Sequence, residues 1–243
     1  MKKVKRNNNV SQTIRIGQFL DLGYKDYLGA RVLLSSGLLL QGAILASTAV
    51  EKYLKAVLAF RGNVSHGHLQ ASHIRAAKNF DSRLARLLND DFLELLRRVY
   101  AMRYVDSLSI GFNLVIAYRE FIAELDYTCQ MLHDSFSLNI NGEEIKSSYH
   151  LDKDSGDELL WVDNFILSDV DKQEFIAALD QQIYEARVCP HRGLIEMSYV
   201  SVARVSDGKF LREGIKLMDE SGCEYMMSLA PIVPGSGVLP SEK

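Results

Sequence analysis

LLLQGAILASTAVEKYLKAVLAF, residues Leu38 to Phe60, is a 23-residue run whose only charges, Glu51, Lys52 and Lys55, lie toward its C-terminal end. Ala43, Ala46, Ala49, Val50, Tyr53, Val57 and Phe60 recur at three- and four-residue steps. Leu39, Leu45, Ala56 and Leu58 add apolar surface on other sides. A helix that is apolar nearly all round is covered by neighbours on several sides. The small residues Gly42, Ala43, Ala46, Ser47 and Ala49 let those neighbours come close. Glu51 and Lys55 form an i,i+4 pair in the favourable order. The stretch reads as the central helix of a bundle. It is long enough to span a bilayer, but Gln41 and the three charges argue against that, because ions deep in lipid are costly.

Working outward, residues 1–16 are polar and basic, and such an end is expected to fray. A first helix is predicted from Asp21 to Ser35, with Leu20, Tyr24, Tyr27, Leu28, Val32 and Leu34 as its stripe and Gly37 as its stop. After the central helix, RGNVSHGHL (61–69) is a loop by its Gly and Asn content. A short helix over 70–80 follows, then a further turn through Leu88. A long helix runs from Asp90 or Asp91 to Val105, and a last one from Phe112 to His133. Beyond it, 136–140 and 144–149 flank Asn141-Gly142, a strong hairpin signal. Next come an acidic loop at 151–158, a strand at 159–167 and a helix opened by Ser168 and Asp171 that reaches Arg187. A turn around Pro190, a β-rich run over 194–205, a second helix closed by Gly222, a strand over 224–233 and a loose tail complete the chain.

Composition divides these elements. Residues 1–133 hold 18 Lys+Arg against 11 Asp+Glu, a net of +7, whereas residues 134–243 hold 10 against 20, a net of −10. All four prolines lie in the last 54 residues. The expected fold class is therefore α+β in two domains. A disordered basic N-terminus (1–16) precedes an up-and-down antiparallel helical bundle (17–134). A small acidic domain with a mainly antiparallel sheet (135–233) follows, and then a flexible tail (234–243). Three widely spaced cysteines make no disulfide framework, and MKKVKRNNNV is not followed by the apolar run of a secretory signal. A cytoplasmic location without membrane partners is the resulting expectation.

Three segments of the front half carry a resemblance. ARVLLSSGLLLQGAILASTAVEKYLKAVL, above all AVEKYLKA at 49–56, is followed by SHGHL at 65–69 and by YAMRYVD at 100–106. In that order and at bundle spacing they resemble the HEPN family (higher eukaryotes and prokaryotes nucleotide-binding), over about residues 20–134. The resemblance implies a helical bundle that often forms homodimers. It also implies a family in which some members are metal-independent ribonucleases acting as toxins or defence effectors, and others bind nucleotides, RNA or protein partners without catalysis. Active members carry Arg, then four to six intervening residues, then His. At the matching place Arg103 is present, but Leu108, Ser109 and Ile110 stand where His is required. A second pair with that spacing, Arg61 and His66, sits in the loop after the central helix.

The expectation for function is a HEPN-like protein that binds nucleotide, RNA or a protein partner, the acidic C-terminal domain giving specificity or regulation. Its binding candidates are His68, Arg97, Arg98, Tyr100, Arg103 and Tyr104, part of a wider basic group with Arg75, Arg83 and Arg86. The competing reading of those cations is a solvated face, and of Tyr53, Tyr100 and Tyr118 core packing. One alternative is a metal-independent ribonuclease using Arg61 and His66, or Arg103 with a His from elsewhere. Another is a non-catalytic dimeric interaction module. No cofactor is expected. Cys189-Pro190-His191 with Cys223 lacks the tight spacing of structural zinc ligands, so no metal is expected either. Whether the loop after the central helix faces Arg103 decides most between these readings.

Overall fold

The computed structural model describes residues 2–201, apart from 61, 63–67, 70, 81, 138, 141 and 142. Helix α1 (Lys2–Ser35) and helix α2 (Leu39–Phe60) form an antiparallel hairpin around Gly37, whose φ of 80° suits a residue without a side chain. The central helix is as the sequence predicts, and 14 of its 22 residues are buried. Gly42 shows why small residues are needed: a Cβ placed there would lie 2.7 Å from the Leu34 side chain and 2.9 Å from its backbone nitrogen. The first helix, expected from Asp21, begins at Lys2. No proline interrupts this end of the chain. The Gln12 amide also donates to the Ala59 and Phe60 carbonyls at 2.7 and 2.8 Å, tying α1 to the C-terminal end of α2.

Helices α3 (Ala71–Phe80), α4 (Ser82–Leu87) and α5 (Asp90–Ala101) follow in the expected order, α5 being capped by the Asn89 side chain and ending four residues short of the expected Val105. A difference comes at 112–133. Asn113–Ala117 is a buried strand, β1, and helix α6 occupies Tyr118–Asp134. Five residues, three of them apolar Leu, Val and Ile in succession, are too few for periodicity to separate strand from helix. The partner that decides lies about 70 residues away, in β4 (Gln181–Cys189). Strand β4 pairs antiparallel with β1, Val115 opposite Glu185, and with β5 (Gly193–Ser201), Ile183 opposite Tyr199, in the order β1-β4-β5.

Between α6 and β4, two-residue strands β2 (Asn139–Ile140) and β3 (Glu143–Glu144) flank the expected Asn-Gly turn, whose two residues are outside the described ones. The acidic stretch expected as a loop is largely helix α7 (Ser148–Ser155), started by the Ser147 side chain and stopped by Gly156 at φ 73°. The strand expected at 159–167 is replaced by a single helical turn, α8 (Glu158–Trp161), and hydrogen-bonded turns. Asp171 caps α9 (Lys172–Ala177), which ends ten residues before Arg187 because 181–189 is taken into the sheet. The helix, last strand and tail expected beyond Ser201 lie outside the described residues. The fold is α+β with an antiparallel three-stranded sheet. Its hydrophobic core is continuous from Ile16 through α2, α5 and α6 to Phe165, Phe175 and Tyr184, so packing does not break at the 134/135 change in composition. No helix among the described residues is long and apolar enough to cross a membrane.

One buried ion pair ties the layers together. Arg31 on α1 bonds to Asp126 on α6, both sealed from solvent, and Tyr27 donates to the same carboxylate oxygen at 2.7 Å. Arg31 also donates to the carbonyls of Leu159, at 3.1 Å, and Val162, which fixes α8 against the bundle.

Candidate nucleotide or RNA interface

Glu51, His68 with Leu69, and Tyr100, one part of each of the three sequence segments, meet at one end of the α2–α5 pair. Glu51, just past the middle of α2, is 5% exposed and works in three directions. Its carboxylate takes the Lys55 ammonium at 2.5 Å, which is the i,i+4 pair read from the sequence. It accepts the Leu69 N–H at 3.0 Å and faces His68 Nδ1 at 3.6 Å. The end of the loop after α2 is thereby pinned to the helix that delivered it. Its imidazole is set down on Tyr100 of α5: the His68 and Tyr100 rings stack with centroids 4.5 Å apart and planes at 30°.

Past Ala101 the backbone tightens. Met102, Arg103 and Tyr104 each donate to the carbonyl three residues back, and a 3-10 turn (Val105–Ser107) follows. This winding turns Arg103 and Tyr104 outward, and both are exposed. The Arg103 guanidinium lies over the Tyr100 ring at 5.0 Å and the Tyr104 ring at 5.9 Å, and donates to the Tyr100 hydroxyl at 3.2 Å. Burial, followed by the hydrogen bond with Tyr104, pushes the Tyr100 phenol up to about 12, so it stays neutral at physiological pH. The result is one cation held over two aromatic rings, an imidazole on the far ring, and an exposed Tyr104 face. A guanidinium so placed can take a phosphate, and an exposed ring can take a base.

The remaining candidates are used otherwise. Arg97 pairs with Glu94 one turn back. Arg98 is half-buried, donates to the Asn113 carbonyl at 2.5 Å and side chain at 3.2 Å, and lies over Phe112 at 5.1 Å. It ties α5 to β1, and burial pulls its pKa down. Arg61 and His66 lie outside the described residues. Tyr53 is in the core, and Tyr118 is buried and donates to Asp163 at 3.0 Å, whereas Tyr100 belongs to the surface cluster. His73 is also a core residue, with its pKa lowered by burial. Cys189 is buried, His191 is exposed, and Cys223 is outside the described residues. Among the described residues no three His, Cys, Asp or Glu side chains gather to hold a metal.

No family model, curated protein or solved structure matches the chain.

Nothing in the sequence singles out Glu51 beyond its pairing with Lys55. Its role in anchoring the loop depends on Leu69 folding back over 18 residues, and only the fold brings the two together.

Proposed function

We propose that the chain is a HEPN-like protein that binds single-stranded RNA or a nucleotide at His68, Tyr100, Arg103 and Tyr104. The convergence of the AVEKYLKA, SHGHL and YAMRYVD segments on one exposed aromatic and basic cluster carries this reading. Arg103 supplies the phosphate contact and Tyr104 the stacking face, while Glu51 and Tyr100 hold the pieces in place. The helical part, by the same reading, is the HEPN-like unit, and the acidic C-terminal region modulates access to it. With a net charge of −10 on residues 134–243, that region competes with a polyanion for the basic face. Truncation at 134 cannot test this, because it removes the β4 partner of β1. A salt titration of RNA binding by the full chain can. If the acidic region competes, moderate salt weakens binding less than the loss of phosphate contacts alone requires.

A second reading has its own support. His68 and Arg103 flank the same Tyr100 ring, which gives Arg103 the histidine that the sequence lacks at the matching position. That pair suits metal-independent RNA cleavage, with Arg103 stabilising phosphate charge and His68 moving a proton. Labelled RNA incubated with the full chain in chelator separates the two. Binding without cleavage supports the first reading. Cleavage abolished by His68→Ala supports the second.

A further inference from the structure

A cleft of about 320 Å³ opens where α1, α6 and α7 meet, lined by Leu20, Phe136 and Ile145 on its apolar side and by His133, Ser147 and His150 on its polar side. Its volume lies in the range of small-molecule sites. It shares no residue with the His68–Tyr100–Arg103–Tyr104 cluster. The Ser147 hydroxyl sits 2.9 Å from His150 Nδ1, and His150 Nε2 faces Asp134 Oδ1 at 3.6 Å. We propose that Ser147, His150 and Asp134 form a nucleophile, base and orienting carboxylate that hydrolyse small carboxylic esters with an apolar acyl group.

Ser147 is also the N-cap of α7, taking the His150 N–H at 3.4 Å, and the two roles are compatible. A hydroxyl has one proton and two lone pairs. The cap uses one lone pair, the proton points to His150 Nδ1, and the second lone pair is left for attack. The cap also places the nucleophile where amides converge. Of the first four N–H groups of a helix, none has a partner within it. Here the His150 N–H goes to Ser147 Oγ, and those of Ser148 and Tyr149, in the same first turn, have no carbonyl of the helix to bond. His133, buried and 3.4 to 3.5 Å from the same hydroxyl, closes the other side as an uncharged wall, its pKa lowered to about 4. The other charges near the cleft are already engaged: Lys146 with Asp154, and Asp21 with Lys25 and the Ser148 hydroxyl.

The chemistry closes. Ser147 Oγ attacks the ester carbonyl carbon, and its proton passes to His150 Nδ1 while Asp134 steadies the imidazolium through Nε2–H. The oxyanion is met by the Ser148 and Tyr149 amides. Collapse breaks the ester C–O bond, and the leaving alkoxide takes the proton from His150 and departs as an alcohol. Water then adds to the acyl-serine with His150 accepting its proton. The acid is released and Ser147 regains its hydrogen, so that ester and water become acid and alcohol. The apolar wall of Leu20, Phe136 and Ile145 fits a short acyl chain.

The test uses the full chain, a fluorophosphonate probe located by peptide mass spectrometry, and p-nitrophenyl butyrate. The proposal predicts labelling at Ser147 and turnover that Ser147→Asn reduces at least 100-fold. Asn caps helices as well as Ser, so helix content and melting temperature should be unchanged. Should that variant be less stable, His150→Gln, which leaves Ser147 in place, must slow labelling by about 100-fold, the scale of a lost general base. Absence of labelling, labelling elsewhere, or ester turnover by Ser147→Asn equal to the parent overturns the proposal and leaves Ser147 a helix cap only.

Discussion

His133 makes the fold sensitive to acid, by an amount that can be worked out. It is 2% exposed, stacked against Tyr149 at 4.8 Å and met edge-on by Tyr24, Tyr53 and His150. Burial first, and the neighbouring His150 second, lower its pKa from 6.5 to about 4. In the unfolded chain it regains the ordinary value, so between pH 6.5 and 4 the unfolded state binds the extra proton. The neutral form therefore contributes stability that is fully present above pH 6.5 and lost as pH falls toward 4. A difference of about two and a half units, at about 1.4 kcal/mol each, is worth about 3 kcal/mol. Urea unfolding of the parent and of His133→Phe, at half-unit steps from pH 7.5 to 4, isolates this contribution. The difference in unfolding free energy between the two should shift by about 3 kcal/mol in favour of the variant as pH falls through the window, and level off below pH 4. A difference that stays constant across the window would refute the reasoning, since His133 would then titrate alike in both states.

Three further perturbations follow from the packing. Gly42→Ala should destabilise the α1–α2 hairpin by about 1–3 kcal/mol, seen as a lower urea midpoint, because its Cβ meets the Leu34 backbone as well as its side chain. Arg31→Met should cost about 3–5 kcal/mol by leaving Asp126 buried and unpaired, and the double variant Arg31→Met/Asp126→Leu should recover most of that loss in the same assay. Glu51→Gln should leave the helix content unchanged but loosen His68 and Leu69, read as faster amide hydrogen exchange at Leu69.

What could be read from the sequence was what local chemistry decides. The central helix needed no partner to be recognised, because its apolar residues cover every side and its small residues mark close approach. Turns were equally clear at Gly37 and around Pro190, and the short strands β2 and β3 pair on either side of Asn141-Gly142. The strand NLVIA was lost because its pairing partner lies in the back half, and a strand is defined by its neighbour more than by its own residues. The same pairing joined segments that charge composition had separated, since net charge describes solvation and says little about which apolar faces meet. At the candidate site, His68, Tyr100, Arg103 and Tyr104 were named from their segments and are found together. Arg98 was not distinguishable from a surface cation, because only the fold shows that it faces Asn113 and Phe112. The Ser147, His150 and Asp134 arrangement needed helix α7, in a stretch whose acidity read as loop.

The most direct test of the RNA-binding account is fluorescence anisotropy of a short single-stranded RNA with the full chain, the Arg103→Ala variant and the Tyr104→Ala variant. Binding by the parent should weaken as salt rises. Arg103→Ala should lower the slope of log affinity against log salt by about 1, and Tyr104→Ala should cost about 1–3 kcal/mol with the slope unchanged. Parent binding that neither substitution alters, or no binding at low salt, would contradict the account.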